Sequence, residues 1–400
     1  MDIRQEAFLN ILRAALEGHG VENLPQLTAG DWDFLHRLSW EQHVQPLFYE
    51  AVCGDPGARA ALPDLSAAVR RQVIGQTMRT GMLLQVAQAL EKAGIRAAVV
   101  KGIVCRELYP WPDHRPSSDE DLLVAPADFS RCGEVLETLG FSTQDPEDSF
   151  ERTYRGADTP LCIELHNSLF SPESAAYGHW NGFFENALDR AESITVQGAA
   201  VLTLAPTDHM LYLLLHAFKH FLHSGFGLRQ VCDIALYANA YGGRIRWQQL
   251  LESCRQVRAE RFSAAVFRIG EAYFGFDPHR AGYPDSWQAL EADEQPLLED
   301  LLQGGVYGGA TEERKRSSQV TLQAAAGKGG SALKSALFPP RSSLSGRYPY
   351  LKKHPWLLPW AWLCRIVTYR KGNRREDAQQ SLRIGKERLQ LLRLYGVTDE

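Results

Sequence analysis

Three acidic side chains in predicted β-strands constrain this chain more than any other feature of its sequence. Asp119 and Asp121 stand two residues apart at the start of the run Glu120–Val124, which reads as a strand. Because successive strand residues point to opposite faces of a sheet, both carboxylates are predicted on one face. Glu164 lies in a second predicted strand, among polar residues that alternate with apolar ones. The acidic side chains therefore mark one polar face of a sheet.

Three carboxylates that converge on neighbouring strands repel one another unless a cation lies between them. Hard oxygen ligands of this kind select Mg²⁺ or Mn²⁺. Asp119, Asp121 and Glu164 are therefore predicted both as metal ligands and as the catalytic residues. Two such ions can hold the attacking and leaving oxygens of a phosphoryl or nucleotidyl displacement. For each carboxylate alone, a solvated position at a strand start or sheet edge is the alternative.

A phosphate site is predicted where another short apolar strand ends. Lys101-Gly102 follows that strand and leads directly into a helix, whose first N–H groups and dipole favour an anion. Glycine lets a phosphate approach the backbone, and the lysine adds a point charge. Arg115, in the loop before the acidic pair, is predicted to contact a phosphate from the other side. Ser118 and His166 complete the predicted nucleotide-binding residues, although Lys101 can also be read as an ordinary surface lysine.

These pieces occur in one order: strand, Lys-Gly, helix, Arg-Pro-x-x-Asp-x-Asp, and then a glutamate on a later strand. The order resembles the nucleotidyltransferase superfamily, and specifically its large, poorly characterised bacterial branch. The resemblance implies a mixed sheet flanked by helices, two metal ions held by Asp119 and Asp121, and Glu164 as the third carboxylate. One departure is that Lys101-Gly102 replaces the superfamily's usual Gly-Ser. The matching segments are Val99–Gly102, Arg115–Val124 and Ile163–His166.

Hydrophobic periodicity predicts an α+β protein, with a mixed sheet flanked by helices and with helical N-terminal and C-terminal regions. The segment predicted as a linker or mobile segment is rich in Lys, Arg, Ser and Gly and has few large apolar residues. The predicted regions are an N-terminal helical region (1–93), an α/β catalytic core (94–205), a helical domain (206–306), the linker (307–346) and an aromatic and helical tail (347–400).

Composition narrows the function further. Lys and Arg number 43 against 48 Asp and Glu, a net charge of −5, so no basic surplus exists to neutralise a long nucleic acid. The seven cysteines are scattered without a CxxC pair, and the acidic N-terminus is unlike a signal peptide, so we expect a cytoplasmic protein. The most apolar segment, Trp356–Cys364, is too short to span a membrane.

Four histidines are predicted on one helix after Pro206. His216 and His220 have the i, i+4 spacing of a metal site, but no glutamate accompanies them in an HExxH arrangement. The readings are a polar helix face that lines the cleft or a domain interface, a zinc site, or a contact with substrate. The other two histidines of this face are His209 and His223.

The tail combines tryptophans with basic residues. Trp356, Trp360 and Trp362 are predicted to pack against the helical domain. The alternative is that they join the neighbouring Lys and Arg residues in contacting a membrane surface or a nucleic acid.

Together, the motifs predict an enzyme that moves a nucleoside monophosphate from a nucleoside triphosphate to a hydroxyl or phosphate of an acceptor. Mg²⁺ or Mn²⁺ is the expected cofactor, the triphosphate is the co-substrate, and pyrophosphate is released. The acceptor is open among a small molecule, a peptide, a protein and an RNA end. The alternatives are a non-catalytic nucleotide- or partner-binding module on the same fold, and a phosphotransferase that uses the same metal site.

Overall fold

A seven-stranded mixed sheet lies between helical regions in the structure, a computed structural model. The residues that it describes are 1–157, 159–223, 225–304, 321, 322, 344, 348, 350–364 and 375–398. The predicted α+β class is therefore confirmed. The predicted linker lies almost entirely outside the described residues.

Five helices precede the sheet, as predicted. Helix α1 begins with a capping box in which Asp2 and Gln5 exchange side-chain and backbone hydrogen bonds, and it ends at Gly18 in the left-handed conformation. A second capping box, from Thr28, starts α2. The last helix ends just before Gly94, which has a φ of 69° and turns the chain toward the sheet. The five are α1 (Ile3–Glu17), α2 (Ala29–Glu41), α3 (Gln45–Val52), α4 (Pro56–Ala61) and α5 (Leu65–Lys92).

The sheet has the strand order β3-β4-β5-β2-β1-β7-β6. Strands β2 and β5 pair in parallel, as do β1 and β7, and all other described pairs are antiparallel. Strands β4 and β5 form an antiparallel hairpin. The strands are β1 (Ala98–Val100), β2 (Glu120–Leu123), β3 (Phe141–Ser142), β4 (Glu151–Gly156), β5 (Cys162–His166), β6 (Glu192–Val196) and β7 (Ala199–Thr203). Helix α6 (Gly102–Arg106) follows β1, and α7 (Phe129–Thr138) follows β2.

Strand register decides which polar residues meet. Asp121 on β2 lies directly opposite Glu164 on β5, which in turn lies opposite Thr153 on β4. His166 lies one row further along β5, opposite Glu151. Directly paired residues share a face, so Asp121, Glu164 and Glu151 lie together on one side of the sheet.

Within the described residues of 206–304, seven helices follow the sheet, and the first of them, α8, buries most of its length. The hydrophobic core is continuous from the N-terminal helices through the sheet to these helices. Packing alone therefore does not separate the regions, and their boundaries stay predictions. The helices are α8 (Pro206–His223), α9 (Leu228–Tyr241), α10 (Trp247–Gln256), α11 (Glu260–Tyr273), α12 (Pro278–Ala281), α13 (Asp285–Gln288) and α14 (Gln295–Gly304).

The exposed tryptophans of the tail contradict one prediction. Trp356 and Trp360 are 73% and 60% exposed, so the prediction that they pack against the helical domain is wrong. Trp362 packs instead in a small hydrophobic cluster that is separate from the main core. The described tail contains the helices Tyr350–Lys353, 358–364 and Arg375–Leu394. None of the helices in the described ranges is both long and apolar enough to cross a membrane.

Candidate active site

Asp121 lies at the centre of the polar sheet face and is almost completely buried. Its Oδ2 is 2.9 Å from the ammonium nitrogen of Lys101, and its Oδ1 is 3.1 Å from His166 Nε2. Burial alone raises the pKa of Asp121, but Lys101 and His166 outweigh it and hold the pKa well below the usual value. Asp121 is therefore a buried carboxylate that stays ionised.

Glu164 and His166 complete a compact group with Asp121. One ligand atom from each of the three lies within 4.8 Å of the others, and in the described part of the chain no other such group of acidic, His or Cys residues occurs. His166 Nε2 is 3.8 Å from Glu164 Oε2. Burial raises the pKa of Glu164 to about 8, and the negative charges of Asp121 and Asp119 add to this effect. A cation at this point would relieve that repulsion.

Asp119 and Ser118 precede β2 instead of lying within it. Ser118 is exposed, and its hydroxyl donates a hydrogen bond of 3.1 Å to Asp119 Oδ1. Asp119 lines the same cleft as Lys101, although it does not belong to the three-residue group. The metal-ligand role of Asp119 and the nucleotide contact of Ser118 stay predictions.

The Lys101-Gly102 turn has an unusual backbone. Lys101 has a φ of 49° and Gly102 a φ of 33°, both in the region that L-residues rarely adopt. A Cβ on Gly102 would lie 2.0 Å from Glu120 Oε2, so only glycine fits here. Burial by itself would lower the pKa of Lys101. The negative charges of Asp121 and the other anionic neighbours have the larger effect and raise this pKa well above its usual value. Lys101 therefore stays a cation within the cleft.

Glu120 holds this turn from the opposite face of the sheet. Its Oε2 accepts a hydrogen bond of 2.9 Å from the backbone N–H of Ile103, in the first turn of α6. Its Oε1 accepts bonds of 2.8 Å from Arg106 Nη1 and from the Ser117 hydroxyl. All of these groups are buried. The sequence motif Asp-x-Asp gave no sign that the residue between the aspartates anchors the Lys101-Gly102 turn.

His209 holds the same turn from the helical region. Its Nε2 accepts a hydrogen bond of 3.0 Å from the backbone N–H of Lys101. Its Nδ1 is 3.1 Å from the Thr203 hydroxyl, which itself donates to the carbonyl of Val99. These partners require a neutral ring with its proton on Nδ1. Burial lowers the pKa of His209 to about 3.

Arg115 lines the cleft but has a partner within the protein. Its Nε and Nη2 donate to the two oxygens of Asp233 at 3.0 and 2.5 Å. Tyr109 donates a further bond of 2.7 Å to Asp233. Arg229 and Asp233 are four residues apart on α9, a spacing that permits an ion pair, but Asp233 pairs with Arg115, 118 positions away. The predicted phosphate contact of Arg115 stays a prediction.

Arg229 is a further cation of this cleft, and the sequence pattern gave no sign of its position there. It lines the cleft together with Lys101, Gly102 and Asp119. Its Nη1 donates to the carbonyl of Pro116, and its buried Nε has no hydrogen-bond partner. Burial and the nearby positive charge of Arg115 lower its pKa. Arg229 has no ion-pair partner among the described residues, so the cleft contains an uncompensated guanidinium.

The histidine face of α8 lies over the site. His216 Nε2 is 3.4 Å from Lys101 Nζ and 3.1 Å from His220 Nε2. Burial and the charge of Lys101 lower the pKa of His216 well below 6.5. Lys219, on the same helix, is half-buried, and its pKa is lowered by burial and by Lys101. His216 therefore lines the cleft, whereas His223 contacts Tyr177, and the three readings of this histidine face stay predictions.

Two further charged residues lie near the site, Glu151 and Lys219, and the sequence could have indicated only the first. Glu151 lies opposite His166 in the hairpin, and its Oε2 is 3.5 Å from His166 Nδ1. Alternation along β4 puts Arg152 and Tyr154 in the interior and therefore Glu151 on the polar face. The position of Lys219 had no comparable signal, since it depends on how α8 crosses the sheet.

A mixed sheet with clustered carboxylates on one face, beside a Lys-Gly turn that opens a helix, has the features expected of a nucleotidyltransferase. The chain belongs to the family described as uncharacterised nucleotidyltransferase, which matches residues 28–275. This match runs from the start of α2 to the end of α11, so it includes the sheet and all the residues of the cleft.

Solved structures give more distant likenesses. An antigenic nucleotidyltransferase-like protein from Paracoccidioides brasiliensis is 14% identical, with 47% of this chain and 91% of that chain covered and a TM-score of 0.33. The antibiotic-resistance factor ANT(2'')-Ia is 11% identical, with 49% and 99% covered and the same TM-score of 0.33. No curated protein matches the sequence. Likenesses this distant transfer neither activity nor substrate to the present chain.

Proposed function

We propose that this protein transfers a nucleoside monophosphate from a nucleoside triphosphate to an acceptor in a metal-dependent reaction, with Asp119, Asp121 and Glu164 as the catalytic carboxylates. The observation that carries the proposal is the register of β2 and β5, which sets Asp121 opposite Glu164 within the matched family region. The 2.9 Å contact between Lys101 and Asp121 brings a phosphate-binding amine to the same point.

The residues present fit a divalent cation. Asp121 and Glu164 offer oxygens and His166 offers a nitrogen within the same small volume, and burial together with the charges of Asp121 and Asp119 raises the pKa of Glu164. Asp119 enters the cleft next to this group. Carboxylates suit Mg²⁺ and Mn²⁺, and an imidazole ligand is better tolerated by Mn²⁺. A bound ion would supply charge neutralisation at the reacting phosphate.

The triphosphate would lie along the cationic wall of the cleft. The Lys101-Gly102 turn offers the charged amine of Lys101. Arg229 adds a guanidinium that has no ion pair within the described residues, and guanidinium groups bind phosphate oxygens in a bidentate manner. Arg115 adds positive charge beside it, while Ser118 stands exposed at the mouth near Asp119.

In the proposed reaction an oxygen of the acceptor attacks the α-phosphorus, a new P–O bond forms, and the bond to pyrophosphate breaks. The acceptor's proton needs a base within reach. Glu164 is the carboxylate of the group that is least tightly held, with 27% of its side chain exposed and no ion pair to Lys or Arg among the described residues. We assign the proton to Glu164 and the nucleotide-orienting role to Asp121. The acceptor itself is open between a small molecule, a peptide, a protein and an RNA end.

The test is transfer of label from each α-labelled nucleoside triphosphate to a cell extract, with Mg²⁺ or Mn²⁺ present. The native protein is expected to label an acceptor, and the Asp119→Ala, Asp121→Ala double variant is expected to lose that activity. Asp148→Ala serves as the matched control, because Asp148 is an exposed aspartate of the loop before β4.

Label transfer that persists in the double variant would remove these aspartates from the mechanism. Transfer from γ-labelled but not from α-labelled triphosphate would replace nucleotidyl transfer with phosphoryl transfer. If the native protein binds neither Mn²⁺ nor triphosphate in calorimetry, the chain is instead a non-catalytic module on the same fold.

A further inference from the structure

The segment 355–364 is apolar on both of its sides. A 3₁₀ turn over Pro355–Leu357 leads into a helical segment, 358–364. Its inner side, which includes Ala361, packs against Leu344 and Leu351 in the small cluster. Its outer side is exposed. The outer residues stand at the spacing i, i+3, i+4 and i+7 of one helix face, and they are Trp356, Pro359, Trp360 and Leu363.

An apolar outer face of this kind is unusual on a protein surface. A helix that is hydrophobic all round is normally buried, and contiguous exposed apolar patches mark interaction sites. Trp356 and Trp360 are among the most exposed large hydrophobic side chains of the described residues, and Leu363 is 54% exposed beside them. Two indoles one helical turn apart, with a leucine a turn further on, form a continuous ridge.

The charge of the surrounding sequence favours a partner with a negative surface. Between residues 350 and 375 there is no Asp or Glu, whereas the rest of the chain is acidic on balance. Basic residues on both sides of an apolar segment favour the negative surface of an anionic bilayer. The basic residues of this stretch are Lys352, Lys353, Arg365, Arg370, Lys371, Arg374 and Arg375.

The apolar chemistry favours lipid over nucleic acid. Tryptophan side chains concentrate at the bilayer interface, where the ring is in the apolar layer and the N–H reaches the headgroups. Leucine and proline on the same face offer no stacking surface to bases. The ten residues of the segment extend about 15 Å as a helix, about half the thickness of the hydrocarbon core. The segment can therefore lie in the interface but not cross it.

We propose that residues 355–364 form a docking surface for an anionic lipid bilayer, with Trp356, Trp360 and Leu363 entering the headgroup region. The surface is separate from the carboxylate cleft, so this inference does not depend on the proposed transferase activity. It would hold the cleft close to a membrane and bring acceptors at that surface within reach.

The experiment is flotation of the full chain with vesicles of phosphatidylcholine, with and without phosphatidylglycerol. The native protein is expected to float with the phosphatidylglycerol vesicles, to bind pure phosphatidylcholine more weakly, and to be released by high salt. In the Trp356→Ala, Trp360→Ala double variant, the partition coefficient is expected to fall by about tenfold or more. Because both side chains are exposed, the variant should keep the native melting temperature.

Trp40→Ala is the matched control, since Trp40 is an equally exposed tryptophan (65%) at the end of α2. It is expected to bind vesicles like the native protein. Equal flotation of the double variant and the native protein would overturn the proposal. So would the absence of vesicle binding together with tryptophan-dependent binding of a labelled RNA, or with tryptophan-dependent self-association in sedimentation, because these results would assign the ridge to RNA or to a second copy of the chain.

Discussion

On strand β2, Glu120 and Asp121 are neighbours in sequence but point to opposite faces of the sheet, and the two faces use a carboxylate differently. The oxygens of Glu120 accept three hydrogen bonds from buried groups of the protein, including the guanidinium of Arg106. Asp121 contacts a lysine and a histidine, and a second carboxylate, Glu164, lies next to it.

The comparison shows that burial and charge alone do not identify a catalytic acid. Glu120 is as buried as Asp121, but all of its bonding capacity is used internally, so it stabilises the fold. Asp121 shares its face with groups that repel one another and with a cleft lined by Lys101 and Arg229. The proposed catalytic face is distinguished by carboxylates that repel one another beside a cleft lined by cations.

The largest expected effect separates the two faces by activity. Asp121→Asn keeps the shape of the side chain but removes its negative charge, so we expect the rate of nucleotidyl transfer to fall about 10³-fold. Far-ultraviolet circular dichroism should remain native, because Lys101 retains 17% exposure and keeps Asp119 and Glu164 nearby. Steady-state kinetics on folded protein provide the measurement. A rate within a factor of two of the native value would remove Asp121 from the metal site.

The next effect is on stability. Glu120→Gln leaves the fully buried Arg106 without its carboxylate, and we expect the free energy of unfolding to fall by about 3 kcal/mol. Urea denaturation followed by circular dichroism measures it. Glu137→Gln, at an exposed position of α7, is the control and should change the free energy by less than about 0.5 kcal/mol. Similar values for the two variants would contradict the structural role of Glu120.

A pH effect tests the support of the Lys101 turn from α8. His209 has a folded pKa of about 3 against an ordinary value of 6.5, so below pH 6.5 the unfolded chain binds the proton more readily. The stability that the neutral His209 ring contributes to the folded protein is complete above pH 6.5 and is lost as the pH falls toward 3. Between pH 6.5 and 4.5 we expect this residue to account for a loss of about 2 kcal/mol.

The measurement compares urea denaturation of the native protein and of His209→Asn at both pH values. The variant should be less stable at pH 6.5 but should lose less stability on acidification, because its side chain does not titrate. Parallel pH profiles for the two proteins would show that His209 is not the buried neutral ring described above.

The smallest effect probes one bond of the Glu120 network. Ser117→Ala removes a hydroxyl that donates to Glu120 and accepts a bond of 2.7 Å from Arg106. Since the Arg106–Glu120 bond remains, the free energy of unfolding should fall by about 1 kcal/mol. Thermal and urea unfolding measure the change. A loss as large as that of Glu120→Gln would mean that the serine, and not the ion pair, dominates the network.

Alternation in the sequence was enough to predict several features of the site. The period of two in the strands put Asp121 and Glu164 on polar faces, and the predicted order of β1, the Lys-Gly turn and α6 is present, while phosphate binding at this junction stays a prediction. The family resemblance is confirmed by the match over residues 28–275. The roles of Asp119, Arg115 and Ser118 at the metal and the nucleotide stay predictions.

The sequence by itself determined which strands and turns form and which faces are polar, because these follow from local periodicity, caps and glycine positions. Only the tertiary structure decided which charges neutralise one another. Asp233 is equally available in sequence to several arginines, but the packing of α9 pairs it with Arg115, and Arg229 has no ion-pair partner in the described part of the chain. Glu120 and Asp121 are both acidic residues of one strand. They differ in role because contacts from distant elements give Glu120 three internal hydrogen bonds and place Asp121 beside Glu164. Such long-range contacts have no local signature, since their energy depends on packing between elements far apart in the chain.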